Sequence, residues 1–150
     1  ALNKMGTTVV FLLHSGEECF VGGVGDSRVY RIRSGQMEQL TTDHSLTQAL
    51  LDAGTISAEE APTHKYRNML YRYLGSKEGG TGTNPVRFNP EPGDRYMLCS
   101  DGVCDGLDDL QIETILAQGD DPQEVAEKIV QAALDGGSKD NTTCVVVYAD

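Results

Sequence analysis

Three aspartates of this chain stand at the ends of short apolar runs, where strands are expected to end. They are Asp26 in Val-Gly-Asp-Ser-Arg, Asp101 in Cys-Ser-Asp-Gly and Asp140 in Lys-Asp-Asn-Thr. Carboxylates that a β scaffold gathers from distant parts of a chain suit hard divalent cations. Asp-Gly and Asp-Asn pairs are also common in tight turns, so each aspartate taken singly has a turn role as its alternative. The three together predict a metal centre.

Length and charge narrow the class of protein. The chain has 150 residues, which is enough for one domain with a buried core. Its formal net charge of −11 opposes binding to nucleic acid and to anionic membranes, so we expect neither as a partner. An acidic surface also serves solubility alone. The longest apolar runs, 9–13 and 144–148, are too short to span a bilayer, and we expect a monomer.

The four cysteines show no metal-binding spacing. The chain contains no Cys-x-x-Cys pair and no histidine next to a cysteine, so a zinc site is not expected. Cys19, Cys99 and Cys144 lie in apolar runs. Their positions predict buried free thiols in a reducing environment, which favours a cytoplasmic location.

Alternating strand and turn signals predict a largely β structure. β-branched runs and Ser-Gly turns in the first quarter of the chain predict an antiparallel meander with strands at residues 7–13, 17–24, 28–33 and 37–40. Two further strands are predicted at 95–100 and 142–148. The last strand contains an apolar run without alternation, which predicts burial on both faces of its sheet.

Helix signals lie between these strands. Capping-box spacings begin at Ser45 and Ser57, and Asp108 or Asp109 can cap a helix that ends near residue 117. Asp121 precedes a proline and then an acidic residue at the third helical position, followed by an apolar stripe. The stripe consists of Val125, Ile129 and Ala133. Residues 75–82 are rich in glycine and charge, which predicts an exposed loop.

Six motifs occur in order along the chain. They are Met-Gly-Thr-Thr at 5–8, Val-Gly-Asp-Ser-Arg at 24–28, Leu-Thr-Thr-Asp-His-Ser at 40–45, Pro-Gly-Asp at 92–94, Leu-Cys-Ser-Asp-Gly at 98–102 and Gly-Gly-Ser-Lys-Asp-Asn-Thr at 136–142. Together they cover nearly the whole chain. In this order the motifs resemble the metal-dependent serine/threonine protein phosphatases of type 2C, in their bacterial style.

The resemblance implies an α+β fold, a four-layer α-β-β-α sandwich of two antiparallel sheets flanked by helices. It implies that residues 1–150 are the C-terminal portion of one phosphatase domain, with a flap subdomain at about 43–74. Asp101 and Asp140 correspond to ligands of the main metal pair at one end of the sandwich. Asp26 corresponds to the ligand of a third, weaker metal.

The implied activity is hydrolysis of phosphoserine and phosphothreonine esters in proteins, with two or three Mn²⁺ or Mg²⁺ ions. Such ions prefer oxygen ligands, and two of them can bridge a water and lower its pKa, so that the resulting hydroxide attacks phosphorus. The metal-bound water is then the nucleophile, and no side chain takes that role. The implied partners are a phosphorylated protein substrate and a serine/threonine kinase or its targets.

One element of the family pattern is missing. The family carries an Asp-Gly-x-Gly-Gly element and a phosphate-binding arginine upstream of Met-Gly-Thr-Thr, and this chain contains no Asp-Gly-x-Gly-Gly. We therefore expect these residues alone to bind metal weakly, to be inactive, and to leave part of the core without a covering strand. The alternative function is a catalytically dead phosphatase-like module that regulates or binds a partner protein.

Five residues around the aspartates are expected to support the site. Gly102 and Asn141 are predicted to set backbone and turn geometry beside the ligands, and Ser100 belongs to the same supporting set. Arg28 has two open interpretations, contact with phosphate or pairing with a neighbouring carboxylate. For His44 a structural hydrogen bond is favoured over direct chemistry.

Overall fold

The computed structural model describes residues 5–76 and 83–150, and over these ranges it contains seven strands and four α-helices. The strands are β1 (Val9–Ser15), β2 (Glu18–Val24), β3 (Arg28–Arg33), β4 (Gln36–Gln39), β5 (Val86–Phe88), β6 (Arg95–Cys99) and β7 (Cys144–Tyr148). The helices are α1 (Leu46–Asp52), α2 (Asp101–Gly106), α3 (Asp109–Ala117) and α4 (Pro122–Asp135), with a 3₁₀ turn at Ala61–Thr63. The chain start at Ala1 and most of the loop predicted at 75–82 lie outside the described residues.

The strands form two antiparallel sheets, in the orders β1-β2-β5 and β4-β3-β6-β7. The sandwich of two antiparallel sheets flanked by helices is confirmed. The predicted continuous meander is wrong, because the chain leaves the first sheet after β2 and enters the second at β3. Gly25 lies in that crossing with a φ of 112°, a conformation that glycine adopts without a Cβ clash. Sequence alternation marks strands but not the sheet to which each belongs.

The sheets pack face to face through large apolar side chains. Phe88 of β5 stacks on Tyr96 of β6 with ring centroids 5.8 Å apart, and Val21 of β2 is buried in the same interior. The outer face of β1 carries exposed Val9 and Phe11, and among the described residues no helix covers it. An uncovered part of the core is what the sequence predicts for these residues.

Helices α2, α3 and α4 cover the other face of the second sheet and enclose the main core. Of the two predicted cap candidates, Asp108 caps α3 in a full capping box and Asp109 is the first helical residue; Asp121 caps α4 as predicted. The predicted stripe of α4 is entirely buried. The core cluster consists of Tyr30, Ile32, Met97, Cys99, Val103, Leu107, Ile112, Leu116, Val125, Ile129 and Ala133.

Strand β7 differs from its prediction. It pairs only with β6 and is the last strand of the sheet in the described part of the chain. Val146 packs against the helical core, whereas Val145 is 53% exposed on the opposite face. Burial on both faces was therefore wrong, since an apolar run also occurs on a strand whose second face stays open.

Two elements were not predicted from the sequence. Helix α2 has six residues and contains Gly102 and Gly106, whose weak helix propensity and Asp-Gly pairs indicate a turn instead. Strand β5 has three residues, too few for an alternation pattern. Within the described ranges no helix combines the length and apolar character needed to cross a bilayer.

The 43–74 segment leaves the second sheet and returns to β1. Ser45 caps α1 by accepting a hydrogen bond from the Gln48 N–H, as predicted. Backbone hydrogen bonds of 3.0 and 2.9 Å between Thr7 and Leu74 anchor the returning end beside β1. Because both ends are anchored, the segment folds over one end of the sandwich and forms one wall of a cavity there.

Candidate metal centre

A cavity of about 670 Å³ lies between the 43–74 segment and helix α2. Its lining contains six aspartates and two arginines, and these are Asp26, Asp43, Asp101, Asp105, Asp108, Asp109, Arg28 and Arg67. Two of the three predicted metal ligands, Asp26 and Asp101, therefore face one space. Asp140 is exposed and lies outside that lining, although its charge acts on Asp101.

Asp101 occupies the first turn of α2, directly after β6 ends at Cys99. The core strand and the buried Val103 fix where this turn begins. Burial raises the pKa of Asp101 above its ordinary value, and the negative charge of Asp140 raises it further. Ionisation of Asp101 is thus opposed first by burial and then by the Asp140 carboxylate.

Ser100 connects the loop of Asp140 to the start of α2 through two hydrogen bonds. Its hydroxyl donates to the Asn141 carbonyl at 3.1 Å and accepts from the Thr143 N–H at 3.0 Å. The pairing of Cys99 with Cys144 brings these two loops to the same sheet end. Ser100 is thus a positioning residue between two predicted ligands.

The absence of a side chain at Gly102 lets the Asp140 loop pack closely against the start of α2. A Cβ at this position would lie 2.6 Å from the Asn141 carbonyl oxygen, closer than real Cβ contacts allow. Any side chain here would push the Asp101 turn away from the Asp140 loop. Asn141 donates its N–H to the Asp140 carboxylate at 2.7 Å, which turns that carboxylate back toward the loop.

Asp26 lies in the crossing between the two sheets, directly after Gly25. The Gly25 N–H donates to Nδ1 of His44 at 3.1 Å, and the Gly25 carbonyl accepts from the His44 N–H at 2.8 Å. This reciprocal pair gives His44 a structural contact that holds the turn. Burial, followed by the charge of Asp101, raises the pKa of Asp26 to about 6.

Arg28 pairs with a carboxylate in the cavity wall. Its Nε and Nη2 donate to the two oxygens of Asp43 at 3.0 and 2.7 Å, and its Nη1 donates to the Tyr30 hydroxyl at 2.8 Å. Asp43 is buried and also accepts from Gln39. Of the two open interpretations, the structure places Arg28 in the carboxylate pair.

The cavity contains residues that the sequence did not mark as functional. Arg67 lines it and joins no ion pair within the described residues. The Thr47 hydroxyl is buried at the same wall without a hydrogen-bond partner in the described part of the chain. Arg67 lies outside the six motifs, and Thr47 lies inside the capping box that begins at Ser45, which indicates a helix start and no role in the cavity. The folding of the 43–74 segment over the sheet brings them to the cavity.

The donor chemistry at this end of the sandwich fits a hard divalent cation. Burial and then a neighbouring carboxylate raise the pKa of both Asp26 and Asp101, and within the described ranges neither joins an ion pair with a basic side chain. Within those ranges no three acidic, histidine or cysteine side chains converge closely enough to hold a metal on their own. The carboxylates of the described residues therefore do not complete a metal site by themselves.

The chain matches the Protein phosphatase 2C family over residues 1–135. It is 40% identical over 149 residues to the serine/threonine protein phosphatase PstP of Mycobacterium tuberculosis, covering 97% of this chain and 28% of that protein. It is 36% identical over 149 residues to the serine/threonine phosphatase stp of Listeria monocytogenes, covering 99% of this chain and 59% of that relative. The chain thus spans less than two thirds of each relative's length.

Solved structures agree with this match. The crystal structure of the M. tuberculosis phosphatase PstP/Ppp superposes with a TM-score of 0.89 at 37% identity, covering 99% of this chain and 62% of that one. The catalytic domain of PstP in complex with two manganese ions gives a TM-score of 0.85 at 36% identity, covering 97% and 59%.

Proposed function

The chain belongs to the protein phosphatase 2C family, and on this basis we propose that the full-length protein hydrolyses phosphoserine and phosphothreonine esters in proteins. The observation that carries the proposal is the position of Asp26 and Asp101 at one cavity, where burial and then a neighbouring carboxylate raise the pKa of each, Asp101 acting on Asp26 and Asp140 on Asp101. A bound divalent cation offsets the repulsion between these carboxylates. A phosphate ester is also negatively charged, so an acidic cavity binds it only when cations are present.

Asp101, Asp140 and Asp26 are the residues that hold the metal in this proposal. Manganese is supported by the manganese complex of the similar PstP catalytic domain, and magnesium and a third ion belong to the proposal as well. The bound ions supply activation of water and neutralisation of the phosphoryl oxygens. Further ligands come from outside the described residues, consistent with the incomplete carboxylate set.

The other residues of the cavity have roles that do not require the metal. Arg67 provides a guanidinium for the phosphoryl oxygens, and the Thr47 hydroxyl provides a neutral donor. The Arg28–Asp43 pair keeps one buried carboxylate neutralised, so that it does not compete for the cation. Ser100 and Gly102 keep Asp101 close to the Asp140 loop.

The proposed partners are phosphorylated proteins, with a serine/threonine kinase or its targets among them, in the cytoplasm. The residues at 43–74 act as a flap subdomain of a single phosphatase domain in this proposal. Their position over the cavity supports a role in receiving the substrate peptide.

The test is phosphate release from a phosphoserine peptide by the full-length protein, titrated with Mn²⁺ and then with EDTA. We expect release that depends on Mn²⁺ and stops when EDTA is added. A protein that binds Mn²⁺, as followed by thermal shift, and releases no phosphate from any phosphopeptide tested contradicts the enzyme. That result supports the regulatory module instead.

A further inference from the structure

A second cavity, of about 580 Å³, adjoins the aspartate-lined cavity where the 43–74 segment returns to β1. Residues 6–8 of the Met-Gly-Thr-Thr motif form one wall of this second cavity. The other wall consists of Lys65, Tyr66, Asn68, Met69, Leu70 and Tyr73, and we call the space between the two walls the side groove. Asn68 also lines the aspartate-lined cavity, so the two spaces share a wall residue.

The side groove also lies against the turn that presents Asp26. The hydroxyls of Thr8 and Ser27 form a hydrogen bond of 2.9 Å, and a Cβ at Gly25 would collide with the Thr8 side chain. Thr8 thus packs directly against the residues on both sides of Asp26. A peptide whose phosphoryl group enters the aspartate-lined cavity therefore has its neighbouring residues, on one side, at the side groove.

Aromatic and apolar side chains form much of the groove surface. A Cβ at Gly6 would lie 2.5 Å from the Tyr73 ring, so the absence of a side chain lets this ring rest on the backbone of the motif. Tyr73 is 37% exposed and Met69 is 51% exposed. An apolar side chain of a ligand binds favourably here, because the contact removes both surfaces from water.

The end of the 43–74 segment carries cations beside both spaces. Residues 61–74 contain Lys65, Arg67 and Arg72 and no acidic residue, in a chain whose net charge is −11. Within the described ranges none of the three forms a salt bridge. The Lys65 ammonium lies 4.5 Å from the Tyr66 ring centroid in the groove wall, whereas Arg67 lines the aspartate-lined cavity. One ligand can therefore place a phosphate at Arg67 and a carboxylate at Lys65.

The opposite wall of the aspartate-lined cavity has the reverse charge. Asp105, Asp108 and Asp109 lie there, on α2 and at the start of α3. A carboxylate of a bound peptide is repelled at that wall and attracted at Lys65. The charges therefore favour one orientation of the peptide, in which its acidic side points to the side groove.

We propose that the side groove binds the substrate segment next to the phosphoserine or phosphothreonine, and that it selects an acidic residue followed by a large apolar residue. Lys65 contacts the acidic side chain, Met69 and Tyr73 contact the apolar side chain, and Arg67 contacts the phosphoryl group. The preferred substrates are then phosphoproteins with an acidic and apolar sequence on one side of the phosphorylated residue. This inference rests on the proposed phosphatase function, because that function places the phosphoryl group in the cavity.

Kinetics with three phosphopeptides test the proposal on the full-length protein at saturating Mn²⁺. The first peptide carries Leu-Glu-Ala before the phosphoserine, the second carries Ala-Glu-Leu after it, and the remaining flanks, including both flanks of the third peptide, are Ala-Gln-Ala. We expect one of the first two peptides, and only one, to have a KM about 10-fold below that of the third. This gain comes from one exposed ion pair and from the burial of one apolar side chain.

The Lys65→Gln variant isolates the ion pair. We expect it to reduce the KM advantage of the preferred peptide to about threefold, because an exposed ion pair contributes only a factor of a few. Lys128→Gln is the matched control, since Lys128 is an exposed lysine on α4 and its substitution removes the same charge. The control should keep the full KM advantage of the preferred peptide.

Equal KM values for the three peptides in an active protein overturn the proposal, and they are also the result expected if another part of the protein's own chain fills the groove. An equal gain for both placements of the glutamate and leucine overturns it as well. So does an equal loss in Lys65→Gln and Lys128→Gln, because it shows only the long-range effect of net charge. A KM advantage that Lys65→Gln leaves intact contradicts the contact between Lys65 and the acidic side chain.

Failure of the phosphatase function gives a different result. The substrate p-nitrophenyl phosphate is too small to reach the side groove, and a protein that hydrolyses neither it nor the peptides contradicts the proposed function. Fluorescence anisotropy with labelled, non-hydrolysable phosphonate analogues of the three peptides then tests the groove in the same protein with Mn²⁺. Tighter binding of one placement supports the groove, and equal binding of all three analogues overturns it.

Discussion

Strand β3 has an arginine at each end, and each arginine pairs with a buried aspartate, yet the two ends differ. At the end away from the cavity, Arg33 donates to both oxygens of Asp94 at 2.8 and 2.6 Å. The Tyr96 hydroxyl and the Glu91 N–H also donate to Asp94, which is 1% exposed. Burial alone raises the pKa of Asp94, but these hydrogen bonds lower it to about 2.

At the cavity end, Arg28 neutralises Asp43 in a similar way, but more carboxylates are present than cations. Asp26 and Asp101 line the same cavity, and both ionise against burial and a neighbouring carboxylate, Asp101 for Asp26 and Asp140 for Asp101. Asp94 is thus a carboxylate whose charge is neutralised within the fold, whereas Asp26 and Asp101 have no basic partner among the described residues. In a chain with 23 acidic residues, hydrogen-bond partners distinguish the two kinds better than exposure does.

The largest effect is expected for Asp101→Asn in the full-length protein. Removing this predicted ligand should lower kcat for a phosphoserine peptide by more than about 100-fold, since residues that only orient metal ligands are worth about 10–100-fold. The measurement is phosphate release at saturating Mn²⁺, with thermal unfolding as the check on folding. Activity within about threefold of the wild type would remove Asp101 from the centre.

Asp94→Asn should lower the stability of the fold and leave the activity unchanged. We expect the free energy of unfolding to fall by about 2–3 kcal/mol. This is at the lower end of the cost of breaking a buried ion pair, because the Arg33 side chain is partly exposed. Urea denaturation measures this change. The kcat and the Mn²⁺ affinity should stay unchanged, and a loss of either would show that the two ends of β3 are coupled.

Arg67→Ala tests the cavity arginine that has no described acidic partner. We expect KM for the phosphopeptide to rise about 10-fold with little change in kcat, because a charge-assisted hydrogen bond to the phosphate is lost. Arg87→Ala is the matched control, since Arg87 pairs with Glu18 on the exposed side of β5. Equal effects of the two substitutions would contradict a role for Arg67 in binding.

The smallest effect is expected for Asp26→Asn in the metal-free protein, as a gain in stability. The folded-state pKa of Asp26 is about 6, above the ordinary value of about 3.9, so its ionisation opposes folding. The variant should gain about 1 kcal/mol near pH 7, less than the full pKa shift implies because the side chain is partly exposed. This gain should shrink as pH falls through 6 and vanish below about 4.

Asp94 supplies the contrasting pH dependence. Its folded-state pKa of about 2 lies below the ordinary value, so its contribution to stability is present above about pH 4 and is lost as pH falls toward 2. Unfolding free energies of the wild type, Asp26→Asn and Asp94→Asn between pH 2 and 8 test both pH dependences in one series. Saturating Mn²⁺ should reverse the sign at Asp26, and a gain that persists with Mn²⁺ would exclude Asp26 as a ligand.

Local patterns in the sequence were sufficient for most of the secondary structure. Ser45, Asp108 and Asp121 cap their helices as predicted, and the buried stripe of α4 follows from its spacing. These features depend on a few neighbouring residues, whose hydrogen bonds and apolar periodicity form within one segment. The motifs around Asp26, Asp101 and Asp140 likewise predicted the family, which the match over residues 1–135 confirms.

Only the tertiary structure decided which groups meet. The split of the first four strands between two sheets, the open face of β7, and the arrival of Arg67 and Thr47 at the cavity depend on contacts between residues far apart in the chain. Likewise, the sequence marks Asp26 as a predicted metal ligand but does not show which partners Asp26, Asp43 and Asp94 meet. Their roles differ because pairing depends on which distant arginine, tyrosine or carboxylate the fold places within hydrogen-bond distance.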